Sequence, residues 1–180
     1  LQPQLQRLIH QLGHQTLLVT HSRDEAYRLC GQIAVVDQGR FLALKETKAL
    51  FADPGSVQAA RLTGCKNIAQ ARKTGDYELE VPAWGVRLRT AQPVADGVRA
   101  VGIRAHYFTL EGEVNSIPCR VSRVIDNVFS TVVMLSTPGG RQGFSQLRVE
   151  WPKAEWAALE QPEQLWLELP PEALLPLSEH

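Results

Sequence analysis

The sequence predicts a mainly β chain with a small α/β part at its N-terminus. Two observations carry that expectation. In the first 65 residues, apolar positions at helical spacing alternate with short apolar runs; beyond Lys66, short strand-like runs are separated by frequent Gly and Pro turn signals. The charge balance changes sign at the same place, residues 1–65 carrying 7 basic and 5 acidic side chains and residues 66–180 carrying 12 and 14. A domain boundary is therefore expected near residues 64–66, giving domains 1–65 and 66–180. The second is expected to be a small barrel or sandwich.

In the first domain, Leu5, Leu8, Ile9 and Leu12 mark a helix face, and Gly13 stops it. Thr16–Thr20 is a short apolar run of the kind that forms a strand buried on both faces. Ser22 and Glu25 fit a capping box that opens a helix reaching about Leu29. Gln32–Asp37 and Arg40–Leu44 read as strands joined by a tight Gln38-Gly39 turn. Helices follow over Glu46–Phe51 and Ser56–Leu62, stopped by Asp53-Pro54 and by Gly64.

In the second domain, strands are expected at Tyr77–Val81, Val86–Arg89, Val98–Ile103, Ile117–Ile125, Thr131–Leu135, Gly143–Val149 and Gln164–Leu169. A short helix is expected over Trp151–Leu159, with Pro152 in its first turn.

Composition narrows the function. The chain of 180 residues has 44% apolar and 21% charged residues, which is globular rather than disordered. Its formal net charge of zero argues against nucleic acid as a partner. No apolar run reaches the roughly 18 residues of a membrane span, and no signal peptide is visible. The lack of an initiator Met suggests a fragment or a processed chain. Cys30, Cys65 and Cys119 are odd in number and widely spaced, so they read as reduced, mostly buried residues of a cytosolic protein. No metal site is expected.

The strongest local feature is Val19-Thr20-His21-Ser22-Arg23-Asp24-Glu25-Ala26. An imidazole at the carboxyl end of a sheet strand stands where open α/β sheets bind ligands and can donate a hydrogen bond to a phosphate oxygen. Satisfying a loop carbonyl is the plainer role for such a histidine. The run VTHSRDEA, followed by QIAVVDQGR and by Leu50-Phe51-Ala52-Asp53-Pro54, resembles the end of the nucleotide-binding domain of ATP-binding-cassette (ABC) transporter ATPases. The resemblance covers residues 1 to about 65 and makes His21 the switch histidine that contacts the γ-phosphate of ATP. It implies ATP and Mg²⁺ as cofactors of an intact parent. It also implies a homodimer of ATPase subunits, a membrane permease as partner, and a place at the cytoplasmic face of the cell membrane.

No GxxxxGK[ST] motif occurs, nor a glutamine loop, signature motif or strand-end Asp-Glu pair. By resemblance these precede the point where the chain starts. With neither phosphate cradle nor metal clamp, the chain itself is expected to bind no cofactor and to have no ATPase activity.

Val101-Gly102-Ile103-Arg104-Ala105-His106 resembles the Gly-Ile-Arg-Pro-Glu element of the transport-associated OB domain that follows importer ATPases, a small OB-like β-barrel. Cys119–Asp126 with Thr131–Leu135 looks like its central strand pair, and Glu168–Leu174 like its closing strand. "TGCKNI" and "GIRAH" are most similar to importers of molybdate, tungstate or sulfate, although Gly64-Cys65-Lys66-Asn67 is not the Ser-Ala-Arg-Asn motif of oxyanion-binding modules. The fold class expected is thus an OB-like barrel after the truncated tail of a P-loop ATPase domain.

Candidate anion donors are Arg104, His106, Arg120 and Arg123, with a backbone nest at Gly139-Gly140. Arg120 and Arg123 are odd-spaced and are expected on opposite strand faces; the plainer reading of all four is solvated charge. Trp151, Trp156 and Trp166 lie in a stretch, residues 150–180, holding seven Glu and one Lys. They are interface candidates or core aromatics.

Three functions compete. The first is an interaction and regulatory module of an importer ATPase, dimerising and sensing an oxyanion. The second is a free-standing OB-type module for a small anion or oligonucleotide. The third is an independent enzyme using His21, Asp24 and Glu25, which lacks a nucleophile beside His21. In isolation, residues 1–45 are expected to pack against a partner chain or be partly mobile, because Thr16–Thr20 needs sheet neighbours.

Overall fold

The computed structural model describes residues 2–13, 15–110, 112–139 and 146–179. Its contacts divide the chain into two compact units, Leu1–Asp53 and Pro54–His180. Residues 54–65, which composition grouped with the first domain, belong to the second unit. They are drawn there by the helix over 57–62, whose Ala60 packs with Cys65, Ala100 and Leu177.

In the first unit, helix α1 (Gln2–Leu12) ends at Gly13, whose φ of +60° suits glycine. Helix α2 (Arg23–Leu29) is followed by a hairpin of β1 (Gln32–Asp37) and β2 (Arg40–Glu46). Gln38 and Gly39 turn it with φ of 48° and 76°, the left-handed pair that a two-residue hairpin needs. Helix α3 (Thr47–Ala52) buries Leu50, and Phe51 meets the Tyr27 ring edge-on at 5.0 Å.

The expected strand at Thr16–Thr20 is not formed. Its residues pair with no ladder, and Leu17 and Val19 are 91% and 87% exposed. The apolar run has strand character, but no described residue of the unit offers it a neighbouring strand.

The second unit opens with helix α4 (Val57–Leu62), capped by the Ser56 hydroxyl. Eleven residues or fewer make up each strand that follows: β3 (Asn67–Gln70), β4 (Arg72–Gly75), β5 (Glu78–Val81), β6 (Val86–Arg89), β7 (Ala100–Ile103), β8 (Ser116–Asp126) and β9 (Ser130–Ser136). Next come β10 (Gln146–Pro152), helix α5 (Lys153–Ala158), β11 (Gln164–Glu168) and β12 (Leu175–Leu177). The strands order as β10-β9-β8-β11, β12-β7-β3 and β4-β5-β6, every ladder antiparallel.

One apolar core joins them. Leu79, Val81, Leu88, Val101, Ile103, Val133, Leu135, Leu147, Val149, Leu167 and Leu169 are fully buried in it. Alternation along β5 and β10 turns their buried side chains to one face, while β7 is buried at all four positions. The mainly β architecture and the short α/β start agree with the fold class expected.

Three details differ from expectation. Strands β3, β4 and β12 were not foreseen; Arg72–Gly75 holds no apolar side chain, so no alternation announces it. The closing strand expected through Leu174 stops at Glu168, because Pro170 and Pro171 lack the N–H a ladder requires; a 3-10 turn over Pro171–Ala173 precedes β12. Trp151 lies in β10 rather than starting a helix, and Pro152, the last residue of that strand, is the N-cap of α5. Of the strand expected at 143–149, residues 143–145 lie outside the described residues.

Candidate functional sites

His21 sits in a pinned turn. The Thr20 hydroxyl accepts from the Ser22 N–H at 3.0 Å and donates to the Glu25 carboxylate at 3.0 Å. The Ser22 hydroxyl accepts from the Glu25 N–H at 3.3 Å, so the cap forms as the sequence suggests. Thr20 relays the second half of the capping box, standing between the Glu25 side chain and the Ser22 N–H. Both flanks of residue 21 are thereby fixed while its imidazole is exposed. Asp24 and Glu25 lie in the first turn of α2 as favourable end charges.

The four candidate anion donors are dispersed over the second unit. Arg104 is only 8% exposed, and its guanidinium donates to the Thr63 carbonyl at 2.7 Å and to the Thr63 hydroxyl at 3.3 Å. It ties the end of α4 to β7. His106 is exposed, its ring 4.5 Å from that of Tyr107.

Arg120 and Arg123 share a face, contrary to the alternation expected. A β-bulge between Val121 and Arg123 inserts Ser122, so Arg120 opposes Ser136 and Arg123 opposes Met134, two residues along the same partner strand. Both guanidinia are exposed. Gly140 of the expected backbone nest lies outside the described residues. Gly139 makes a close backbone approach to Gly85, its N–H donating to the Trp84 carbonyl at 3.2 Å.

The tryptophans separate into two kinds. Trp151 and Trp156 stack at 5.7 Å within the core and are 6% and 5% exposed. Trp166 is 62% exposed because its place on β11, opposite Pro118, points to the outer face.

Two clefts open on the second unit. One, of about 620 Å³, lies between α4 and the β3–β7 edge and is lined by Gln58, Arg61, Arg72 and Arg99 among apolar walls. The other, of about 510 Å³, lies at the β8–β11 edge, with Arg120, Gln164, Thr137 and Trp166 in its lining. Two buried polar atoms, Gln58 Oε1 and Thr137 Oγ1, have no hydrogen-bond partner among the described residues, and each belongs to one of these clefts. Sequence reasoning missed both; single polar residues without a motif give no signal.

The three cysteines are free, as expected. Burial pushes the Cys119 thiol up to about 12 and, against the opposing Arg104 charge, raises that of Cys65. Both stay protonated and unreactive at neutral pH. Among the described residues no cluster of His, Cys, Asp and Glu is arranged for a metal ion, and no helix is long and apolar enough to cross a membrane.

No family model matches the chain. Among curated proteins it is similar to the molybdate/tungstate import ATP-binding protein of Pyrococcus horikoshii, at 29% identity over 90 residues. That match covers 46% of this chain and 26% of the relative. It is also similar to a sulfate/thiosulfate import ATP-binding protein of Agrobacterium fabrum, at 31% identity over 141 residues, covering 74% of this chain and 39% of the relative. The chain thus spans about a quarter to two fifths of the length of these relatives. Among solved structures, the cytoplasmic molybdate-binding protein ModG superposes with a TM-score of 0.50 at 13% identity, over 63% of this chain and 97% of that one. That likeness supports the OB-like fold of the second unit and nothing further.

Proposed function

Starting from its homologues, which are ATP-binding subunits of ABC importers, we propose that this chain works as the C-terminal part of such a subunit. Residues 1–53 carry His21 to the γ-phosphate of ATP, and the second unit is the accessory barrel that pairs subunits and responds to the imported solute. The pinned turn around His21 is the observation that carries this reading. Thr20, Ser22 and Glu25 lock the backbone while leaving the imidazole free to donate a hydrogen bond to a phosphate oxygen. The exposed apolar run at Leu17 and Val19 supports it too. Such a run is complete only as a strand inside a larger sheet, as in the nucleotide-binding domain that the sequence resembles.

ATP hydrolysis of this class uses Mg²⁺ to neutralise charge on the transferring phosphate. The described residues offer no cluster to hold it, so no step here runs through the metal. The part this chain plays is positional: His21 orients the terminal phosphate. The whole subunit acts as an ATPase with a membrane permease at the cytoplasmic face of the membrane.

The proposed solute is an oxyanion of the molybdate, tungstate or sulfate class. Two of the relatives import such ions, while another at 31% identity imports spermidine and putrescine. Subunit pairing has a candidate surface at the β8–β9 turn, where Val128 and Phe129 are 77% and 89% exposed.

Tryptophan fluorescence titrated with molybdate, tungstate and sulfate, against chloride at equal ionic strength, tests the solute class. A saturable change specific to one oxyanion is expected. None, in folded protein, overturns oxyanion sensing and leaves the barrel a pairing domain.

A further inference from the structure

We infer that the cleft at the β8–β11 edge binds a small organic anion with a flat apolar body, of the aromatic carboxylate class. This inference does not rest on the importer reading.

The volume, about 510 Å³, falls within the roughly 300–1,000 Å³ typical of small-molecule sites. Two donors there lack partners among the described residues. Thr137 is 6% exposed, and its fully buried hydroxyl has no hydrogen-bond partner among the described residues. Arg120 is exposed and has no ion pair among them. Buried hydroxyls are normally bonded, and an orphan in a cleft wall marks a place where a ligand atom can complete it. A guanidinium and a hydroxyl together call for an acceptor-rich, negatively charged head group, which a carboxylate supplies with two oxygens.

The rest of the lining decides between an inorganic and an organic anion. Gln164 lies directly across from Arg120 and Trp166 directly across from Pro118, all on the same outer sheet face. Trp166 is therefore the diagonal neighbour of Arg120, within reach of one ligand spanning both. Trp166, Pro118 and Pro138 form an apolar wall beside the donors. A tetrahedral oxyanion would engage the donors and leave this wall wet. A flat ring joined to a carboxylate covers the indole face while its head group meets Arg120 and Thr137.

The test is calorimetric titration of the whole chain with 1-naphthoate, with 1-naphthalenemethanol as the neutral analogue and molybdate as competitor. Saturable naphthoate binding is expected, at least tenfold tighter than the alcohol and not displaced by molybdate. R120Q, T137V and W166A should each weaken it tenfold or more. T137V should be no less stable than the parent, because it removes an unsatisfied hydroxyl rather than a structural bond. No saturable binding, equal affinity for acid and alcohol, or stoichiometric displacement by molybdate overturns the inference. The acid–alcohol comparison needs no variant, so a variant that fails to fold leaves the test decisive.

Discussion

Asn67 closes the barrel, and its removal is the most informative stability test. It is 4% exposed at the start of β3. Its Nδ2 donates to the Arg148 carbonyl at 2.8 Å and to the Ile103 carbonyl at 3.1 Å, and its Oδ1 accepts from the Arg148 N–H at 2.7 Å. One amide thus completes the edge of β10 that faces away from β9. It joins the sheet β12-β7-β3 to the sheet β10-β9-β8-β11. Asn67→Ala leaves the Arg148 N–H and carbonyl without these partners. Each unsatisfied buried group costs about 1–3 kcal/mol, and partial access of water to the half-buried Arg148 recovers some of it. The expected loss is about 2–4 kcal/mol, a large share of a typical domain stability of about 5–15 kcal/mol. Asn67→Asp should be no better, since it keeps the acceptor but sets a carboxylate against two carbonyl oxygens. Urea unfolding followed by the buried Trp84, Trp151 and Trp156 reads the change. A loss below about 0.5 kcal/mol would refute the clasp role, given that such a loss is typical of a surface substitution.

Two further outcomes follow from the second unit. Gly85 has a φ of +68°, and a Cβ there would lie 2.4 Å from the Gly139 N and 2.5 Å from its Cα. Gly85→Ala should therefore cost about 2–4 kcal/mol in the same urea assay, through combined backbone strain and overpacking, and a neutral result would contradict the close approach. The Cys119 thiol, raised by burial from 9.0 to about 12, favours the folded state while it stays protonated. That contribution is fully present below about pH 9 and is lost as pH rises from there toward 12, because only the unfolded thiol ionises in that window. Stability of the parent relative to Cys119→Ala should fall above pH 9, by at most about 1.4 kcal/mol per pH unit. A difference that stays constant up to pH 11 would contradict it.

What the sequence made legible was local. Ser22 capping, the Gln38-Gly39 turn and the Asp53-Pro54 stop each depend on a few adjacent residues, and the structure has all three. What stayed hidden depends on distant partners. Thr16–Thr20 reads as a strand, but a ladder needs neighbours that spacing cannot supply. The bulge at Ser122 brings Arg120 and Arg123 to one face and is set by how β8 meets β9, so alternation alone gave opposite faces. Arg104 looked like a free donor until Thr63, 41 positions away, took its guanidinium. Trp151 and Trp166 carry the same side chain on neighbouring segments, and only the sheet decides that one is core and the other exposed. Thr137 gave no signal, because its interest lies in the partner it lacks.

The central claim, that His21 serves ATP hydrolysis in an importer subunit, is tested most directly by steady-state hydrolysis in the intact subunit containing this chain, assembled with its permease, with and without His21→Ala. A fall in kcat of about a hundredfold or more, with ATP binding retained, is expected if the imidazole acts on the γ-phosphate in the transition state. Unchanged hydrolysis would contradict the claim and return His21 to the role of an exposed turn residue.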